Sequence, residues 1–244
     1  MGEGGAMKYM GSKKRHVSEI LPIILRERTP DQYYIEPFVG GFNVIESVTG
    51  PRIANDNNHY LIALFQALQQ GWLPPTVVTY EEYTAIRCNK LRYPPHLVGF
   101  VGFGCSYAGK WFGGYARGEG NKGNPRNYCA ESRSNVLKQA PKLNGLQITC
   151  MDYQHLVMPP RSLIYCDPPY ANSTRYVGTG LFDTPNFWTW VRKQSTEGHT
   201  VFVSEYEAPT DFECVWEKPC YNTLVADTGE KVGLERLYVM KGTT

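Results

Sequence analysis

The stretch Ser162-Leu163-Ile164-Tyr165-Cys166-Asp167-Pro168-Pro169-Tyr170 constrains the fold of this chain more than any other. An apolar run of strand length stops at a carboxylate, two prolines that cannot continue a ladder, and an aromatic ring. That order puts Asp167, Pro168, Pro169 and Tyr170 at the C-terminal edge of a strand, where open α/β sheets bind ligands. One chemistry fits the four side chains together. An exocyclic amino group of a nucleobase is a poor nucleophile because its lone pair is delocalised into the ring, so a site that alkylates it needs acceptors more than a strong base. Asp167 can accept one amine N–H and the Pro168 carbonyl the other. Pro169 stiffens the turn, and Tyr170 offers its face to a base swung out of a duplex. The plainer alternative is a strand followed by a proline turn with a capping aspartate.

Other features bound the choice. The chain has 244 residues, 42% of them hydrophobic, enough for one sizeable core with an inserted subdomain. Its formal net charge of +2 is nearly neutral, so any nucleic-acid surface must come from local clustering. The seven cysteines contain no Cys-x-x-Cys pair, which favours reduced thiols and a cytoplasmic location over a disulfide framework or zinc site. The five scattered histidines offer no metal-ligand spacing. No apolar run approaches the roughly 20 residues that span a bilayer. The start, Met1 to Ala6, is small and polar and unlike a signal peptide. Neither a metal nor a membrane is therefore expected.

From Ser12, a candidate N-cap, Val17, Ile20, Leu21, Ile24 and Leu25 recur at helical spacing, with Pro22 expected to bend the helix. Lys13, Lys14 and Arg15 fall in its first turn, where the helix dipole disfavours cations. An anionic partner such as a ligand carboxylate or DNA phosphates would offset that cost; ordinary solvated surface lysines are the alternative. Next, the β-prone run from Tyr33 breaks into the turn Glu36-Pro37-Phe38-Val39-Gly40-Gly41-Phe42. Its paired glycines permit close approach of a ligand to the backbone. Arg52-Ile53-Ala54-Asn55-Asp56 reads as a second short strand ending in an acid. An amphipathic helix with Leu61, Leu64, Phe65 and Leu68 follows it and stops at Gly71. A glycine turn after one strand, and an acid at the end of the next to accept ribose hydroxyls, is nucleoside-binding logic. Asp56 as a helix N-cap is the alternative reading.

The middle of the chain differs in composition. After Trp72-Leu73-Pro74-Pro75 and a helical stretch from Glu81 to Leu91, it becomes rich in glycine and aromatics, with Lys110, Arg117, Lys122 and Arg126 interleaved. Such a mixture suits phosphate contacts together with stacking or wedging against bases. A loop-rich insertion packed by its own aromatics is the other reading. No helix-turn-helix or zinc-finger spacing is evident. Beyond it, Leu146 to Cys150 is a β-type run ending near Asp152. Phe182-Asp183-Thr184-Pro185 opens a helix that runs to Gly198, with Trp188 and Trp190 assigned to the core. Thr200 to Ser204, Phe212 to Lys218 and Glu235 to Met240 supply further strands. Strands alternating with helices imply an α/β, mostly parallel, doubly wound sheet.

Taken in order, Tyr9-Met10-Gly11-Ser12-Lys13, Glu36-Pro37-Phe38-Val39-Gly40-Gly41, Asn55-Asp56 and Asp167-Pro168-Pro169-Tyr170 resemble the DNA adenine methyltransferase (Dam) family of bacteria and their phages. The resemblance implies a Rossmann-like sheet of seven strands with a reversed C-terminal hairpin. It implies an N6-adenine activity on double-stranded DNA that uses S-adenosylmethionine, and it is compatible with a restriction endonuclease counterpart. It divides the chain into a cofactor-binding half (7–72), an inserted DNA target-recognition subdomain (73–142) and a catalytic half (143–244). By similarity Tyr9, Lys13, Phe38, Gly40, Gly41, Asp56 and Asp152 border the cofactor, and Asp167 to Tyr170 hold the flipped base, with Asp167 also touching the cofactor. The family turn usually ends in a second glycine where this chain has Phe42, whose ring is placed to crowd the methionine end of the cofactor. Two alternatives follow: the same transfer to the N4 amine of cytosine, and a DNA-binding relative with impaired catalysis.

Overall fold

The computed structural model describes residues 7–119, 124–169, 182–221 and 232–242. Seven strands form one sheet: β1 (Tyr34–Glu36), β2 (Arg52–Asp56), β3 (Gln147–Cys150), β4 (Leu163–Cys166), β5 (Thr200–Glu205), β6 (Phe212–Tyr221) and β7 (Val232–Met240). Their order is β3-β2-β1-β4-β5-β7-β6. The first five are parallel to one another, whereas β7 runs antiparallel to both β5 and β6. The expected α/β sheet with a reversed final hairpin is borne out. Strand order reverses between β1 and β4, so the carboxyl ends of those two strands flank the crevice where such sheets take ligands.

Alternation along the strands builds two cores. Tyr34, Ala54, Leu163, Tyr165 and Phe202 face one layer, while Ile35, Ile53, Ile164, Cys166, Val201 and Val203 face the other. The first layer is covered by α1 (Val17–Ile24) and α2 (His59–Gln69), and it continues without a break into α3 (Tyr80–Cys88), α4 (Pro95–Gly99) and α5 (Tyr128–Gln139). The middle segment therefore shares its core with the sheet. The second layer is covered by α6 (Thr184–Thr196), whose Phe187, Trp188, Trp190 and Val191 are buried as expected. Asp183 caps α6 through the Asn186 N–H at 3.0 Å, and Pro185 occupies its first turn.

Several boundaries differ from the sequence reading. Ser12 caps a single 3₁₀ turn, Lys13–His16, and the α-helix begins only at Val17. Three residues with long polar side chains and one histidine cannot supply an apolar face, so the amphipathic helix starts where the apolar spacing does. The β-prone run after Tyr33 yields just three strand residues, because Pro37 cannot donate to a ladder. The helix expected over Glu81 to Leu91 is Tyr80–Cys88, started by a capping box between Thr79 and Glu82. Asn58, not Asp56, is the N-cap of α2, accepting the Tyr60 and Leu61 N–H groups at 3.2 Å. Among the described residues no helix is long and apolar enough to cross a membrane.

Candidate active site

Along one edge of the sheet, four neighbouring strands each present an acid. Glu36 ends β1, Asp167 follows β4, Glu205 ends β5, and Glu235 lies near the start of the reversed β7. Lys13 enters this row from the 3₁₀ turn, with its Nζ 3.0 Å from Asp167 Oδ1 and 3.3 Å from Glu235 Oε2. Its side chain is 6% exposed. Here is the anionic partner that the cationic turn requires, and it belongs to the chain itself. A buried charge is tolerated only when paired; losing one member of such a pair typically costs about 3–5 kcal/mol. Burial pulls the Lys13 ammonium toward neutrality, but Asp167 and Glu235 outweigh it and raise its pKa above the ordinary lysine value.

The acids are held differently from one another. Burial raises the Asp167 carboxyl while Lys13 pulls it back, leaving it above the ordinary range. Lys13 engages the carboxylate through Oδ1. Glu205 is pushed up to about 7, chiefly by burial, against the Tyr206 N–H that it accepts at 2.8 Å. Glu36 is forced well above the carboxylate range by burial, although the Tyr34 hydroxyl donates to it at 2.9 Å. A second buried hydroxyl pair, Tyr165 with Ser204 at 2.8 Å, fixes the layer beneath Asp167 and Glu205. Sequence reasoning singled out neither Glu205 nor Glu235 as site residues. Glu205 could have been found as the acid closing a buried strand; Glu235 carries no local signal, since only the reversal of β7 brings it to this edge.

The glycine turn after β1 is built around Tyr9. A Cβ on Gly40 would lie 2.9 Å from the Tyr9 ring, and one on Gly41 would lie 2.7 Å from both Tyr9 and Asn43, so the tyrosine packs where side chains are missing. Gly40 has φ +48°, a left-handed conformation natural to glycine. Buried Gln139 of α5 ties the turn down, donating to the Gly41 carbonyl at 3.0 Å and accepting the Met7 N–H at 3.3 Å. Phe42 also adopts a left-handed φ, +60°, where the resembling family has glycine. Its ring does not crowd the turn. It is fully buried beneath it and stacked on Phe65 of α2 at 3.8 Å. The left-handed backbone costs roughly 1–2 kcal/mol, which burial of a phenylalanine, about 1.5–3 kcal/mol, offsets.

Asp56 closes the same corner. Its Oδ2 accepts the Gly40 N–H at 3.1 Å and its Oδ1 the Asn58 N–H at 2.9 Å, so it joins the glycine turn to the entry of α2. The four lone pairs of the two oxygens leave acceptor capacity beyond these N–H groups. Burial raises its pKa, and the Asn58, Gly40 and Asn57 N–H groups oppose the rise. Asp152 caps the 3₁₀ turn Tyr153–His155 through the Gln154 N–H at 2.9 Å and is exposed beyond the end of β3. Phe38 is half-buried against Tyr153, with ring centroids 5.0 Å apart, and forms an aromatic wall beside the crevice.

Of the remaining sequence candidates, Pro168 is buried and Pro169 half-buried directly after Asp167, while Tyr170 and Lys122 lie outside the described residues. Arg117 lies over the faces of Tyr80 at 4.4 Å and Tyr115 at 5.5 Å. Arg126 makes a bidentate pair with Glu131 at 2.5 and 2.7 Å and also covers Tyr128 at 4.6 Å. Lys110 is exposed next to a loop in which Ala108 and Phe112 take left-handed φ values of +54° and +42°. Among the described residues there is no group of histidines, cysteines and acids arranged to hold a metal ion.

A sheet of this order, with a glycine turn after β1, an acid closing β2 and an Asp-Pro-Pro turn after β4, defines a Rossmann-like α/β fold and is consistent with that of a methyltransferase. Residues 9–90 match the family described as D12 class N6 adenine-specific DNA methyltransferase. Over 214 residues the chain is 22% identical to the type II methyltransferase M.FokI of Planomicrobium okeanokoites, a match covering 77% of this chain and 32% of that protein. The chain thus spans about a third of the length of that curated relative. The family match contains Tyr9, Lys13, the glycine turn and Asp56, and the resemblance read from the ordered motifs is borne out.

Proposed function

We propose that the chain is a DNA adenine-N6 methyltransferase that takes its methyl group from S-adenosylmethionine. The observation that carries this reading is the Asp167 turn. Asp167 is a carboxylate held by a buried lysine at the end of β4 and followed at once by the Pro168 carbonyl. Two such acceptors suit the two hydrogens of an exocyclic amine, and positioning of this kind can supply much of the rate. Ionised Asp167 takes one N–H and the Pro168 carbonyl the other. Lys13 keeps the carboxylate charged and stationary.

The residues around the glycine turn fit the cofactor. Gly40 and Gly41 let Tyr9 pack directly on the turn, Asp56 retains acceptor capacity for a ribose hydroxyl, and Phe38 with Tyr153 offers an aromatic wall to a purine. Asp152 stands at the outer end of that wall. Surplus acid around Lys13 suits a sulfonium cation. When bound, the cofactor supplies an electrophilic methyl group. The match to the adenine-specific family favours adenine over cytosine. The ring of Phe42 lies in the core, so the feature that motivated an impaired relative does not block the turn. Lys110, Arg117, Lys122 and Arg126, in an insert over 73–142, are assigned to double-stranded DNA. The reading extends to a cytoplasmic enzyme with a restriction endonuclease counterpart.

The test compares the parent with Asp167→Ala in methyl transfer to duplex DNA and in calorimetric binding of S-adenosylmethionine. The parent transfers methyl groups, and the variant loses at least about 100- to 1,000-fold in rate while still binding cofactor. Because Asp167 must be ionised and its pKa is raised, parental activity falls on the acid side at a higher pH than an ordinary carboxylate would dictate. Equal loss of cofactor affinity and turnover makes Asp167 a structural or cofactor residue instead.

A further inference from the structure

Away from the sheet edge, Cys105 and Cys129 meet in the middle segment. Cys105 ends the π-helical turn Phe100–Gly104 that follows α4, and Cys129 lies in the first turn of α5. Ser132 stands on the same face of α5 as Cys129, one turn on. Its hydroxyl donates to the Gly104 carbonyl at 2.5 Å, which presses that face against the residue before Cys105. Both thiols are buried, at 1% and 5% exposure, and both line one cavity of about 190 Å³. The rim of that cavity includes Pro125, Arg126 and Asn127, all exposed to solvent. Hence the pair sits in the core but borders a space that a small molecule can enter.

The two thiols are not equivalent. Each thiol acts on the other, which raises Cys105 and, as the largest influence, lowers Cys129. Arg133 and the Val78 backbone N–H favour the Cys129 thiolate further, against burial and Glu82. In its neutral form Cys129 donates to the Pro75 carbonyl at 3.4 Å. Nothing in the transfer chemistry at Asp167 uses either cysteine.

We propose that Cys105 and Cys129 form a peroxide-reactive dithiol, with Cys129 as the attacking sulfur and Cys105 as the resolving one. The Cys129 sulfur attacks one oxygen of a small hydroperoxide; the O–O bond breaks, the sulfur becomes a sulfenic acid, and the other oxygen leaves as the alcohol or water with the Cys129 proton. The Cys105 sulfur then displaces the hydroxyl, forming the S–S bond, and its proton leaves with that hydroxyl as water. Two electrons pass from the two thiols to the peroxide, which is the only oxidant required. The segment closed by this bond, 106–128, carries Lys110, Arg117, Lys122 and Arg126. Oxidation therefore ties the foot of the cationic segment to α5. The site stands independently of the methyltransferase reading, whereas any effect on DNA rests on that reading.

The experiment treats the reduced full chain with hydrogen peroxide and maps peptides by mass without reduction. The expected product is a Cys105–Cys129 cross-linked peptide lighter than its two reduced peptides by two hydrogens, in a protein that melts higher than before treatment. In Cys105→Ala the reaction stops at a Cys129 sulfenic acid, captured by a dimedone probe, and in Cys129→Ala the Cys105 thiol stays unmodified. Oxidation confined to exposed Cys88, Cys150 and Cys214, or a cross-link that pairs other cysteines, overturns the proposal. The map of the parent decides the matter even if neither variant folds.

Discussion

The sheet edge and the middle segment both carry cations beside anions and aromatic rings, yet they hold them in opposite ways. At the edge, Lys13 is enclosed by Asp167 and Glu235 and has 6% of its side chain exposed. In the segment, Arg126 and Glu131 pair with 41% and 36% of their side chains exposed, and Arg117 lies on two tyrosine faces. A buried pair fixes geometry, because neither partner can leave without stranding a charge. An exposed pair contributes at most about 1 kcal/mol and exchanges its partner readily. The first arrangement suits a group that must stay in place during a reaction. The second suits cations that give up a carboxylate or a ring face when a phosphate arrives.

Substitutions in both regions test this contrast. The largest effect on ligand binding is expected for Asp56→Ala, since each hydrogen bond to a charged acceptor contributes about 1.5–3 kcal/mol. S-adenosylmethionine affinity falls by at least about tenfold in calorimetry, and DNA affinity is spared. A lower melting temperature with unchanged cofactor affinity would instead confine Asp56 to joining the glycine turn and α2.

Next in size is the fourfold alanine variant of Lys110, Arg117, Lys122 and Arg126. Its salt dependence of duplex binding flattens by about 0.9 log units per lost phosphate contact, and its cofactor affinity is retained. Arg126 should contribute least, because its pairing with Glu131 competes with phosphate. Superimposable salt titrations for parent and variant would remove the segment from the DNA interface.

The smallest effect concerns Glu205, which titrates at about 7 in the fold against an ordinary 4.5. The folded state holds this proton more tightly than the unfolded one. Glu205 therefore contributes stability that is complete below about pH 4.5 and lost as pH rises through 7. A tenfold difference in proton affinity between the two states corresponds to about 1.4 kcal/mol, so the parent should lose on the order of 2–3 kcal/mol from this group between about pH 5 and 8. Asp167 and Glu36 are raised in the same direction, so Glu205→Gln flattens the profile without levelling it. Denaturant midpoints at the two pH values measure the difference; an unchanged slope in the variant would mean that Glu205 is ionised without cost.

Legibility in the sequence followed the range of the interactions. The β4 run into Asp167, the glycine turn and the helix entry at Asp183-Thr184-Pro185 are local patterns; each stands where its residues put it, with the cap of the helix one residue earlier than a proline in its first position implies. The reversed hairpin was legible through the resemblance. The role of Lys13 was half legible: its position in a cationic turn demanded an anion, but nothing local named Asp167 and Glu235. Glu235 reaches the edge only because β7 reverses, and the register of that strand with β5 is a tertiary fact. Phe42 misled because sequence does not say on which side of a left-handed backbone a ring will lie. The partners of Arg117 and Arg126 were likewise invisible, since tyrosine faces at Tyr80 and Tyr115 reach Arg117 through a folded loop.

The identity of the acceptor atom separates an adenine methyltransferase from every alternative. Incubating the chain with methyl-labelled S-adenosylmethionine and duplex DNA of mixed sequence, then digesting to nucleosides, reads it directly. Label is expected in N6-methyladenosine of the deoxy series and in no other nucleoside. Label in N4-methylcytosine, or an unlabelled digest from protein that binds both cofactor and DNA, would contradict it.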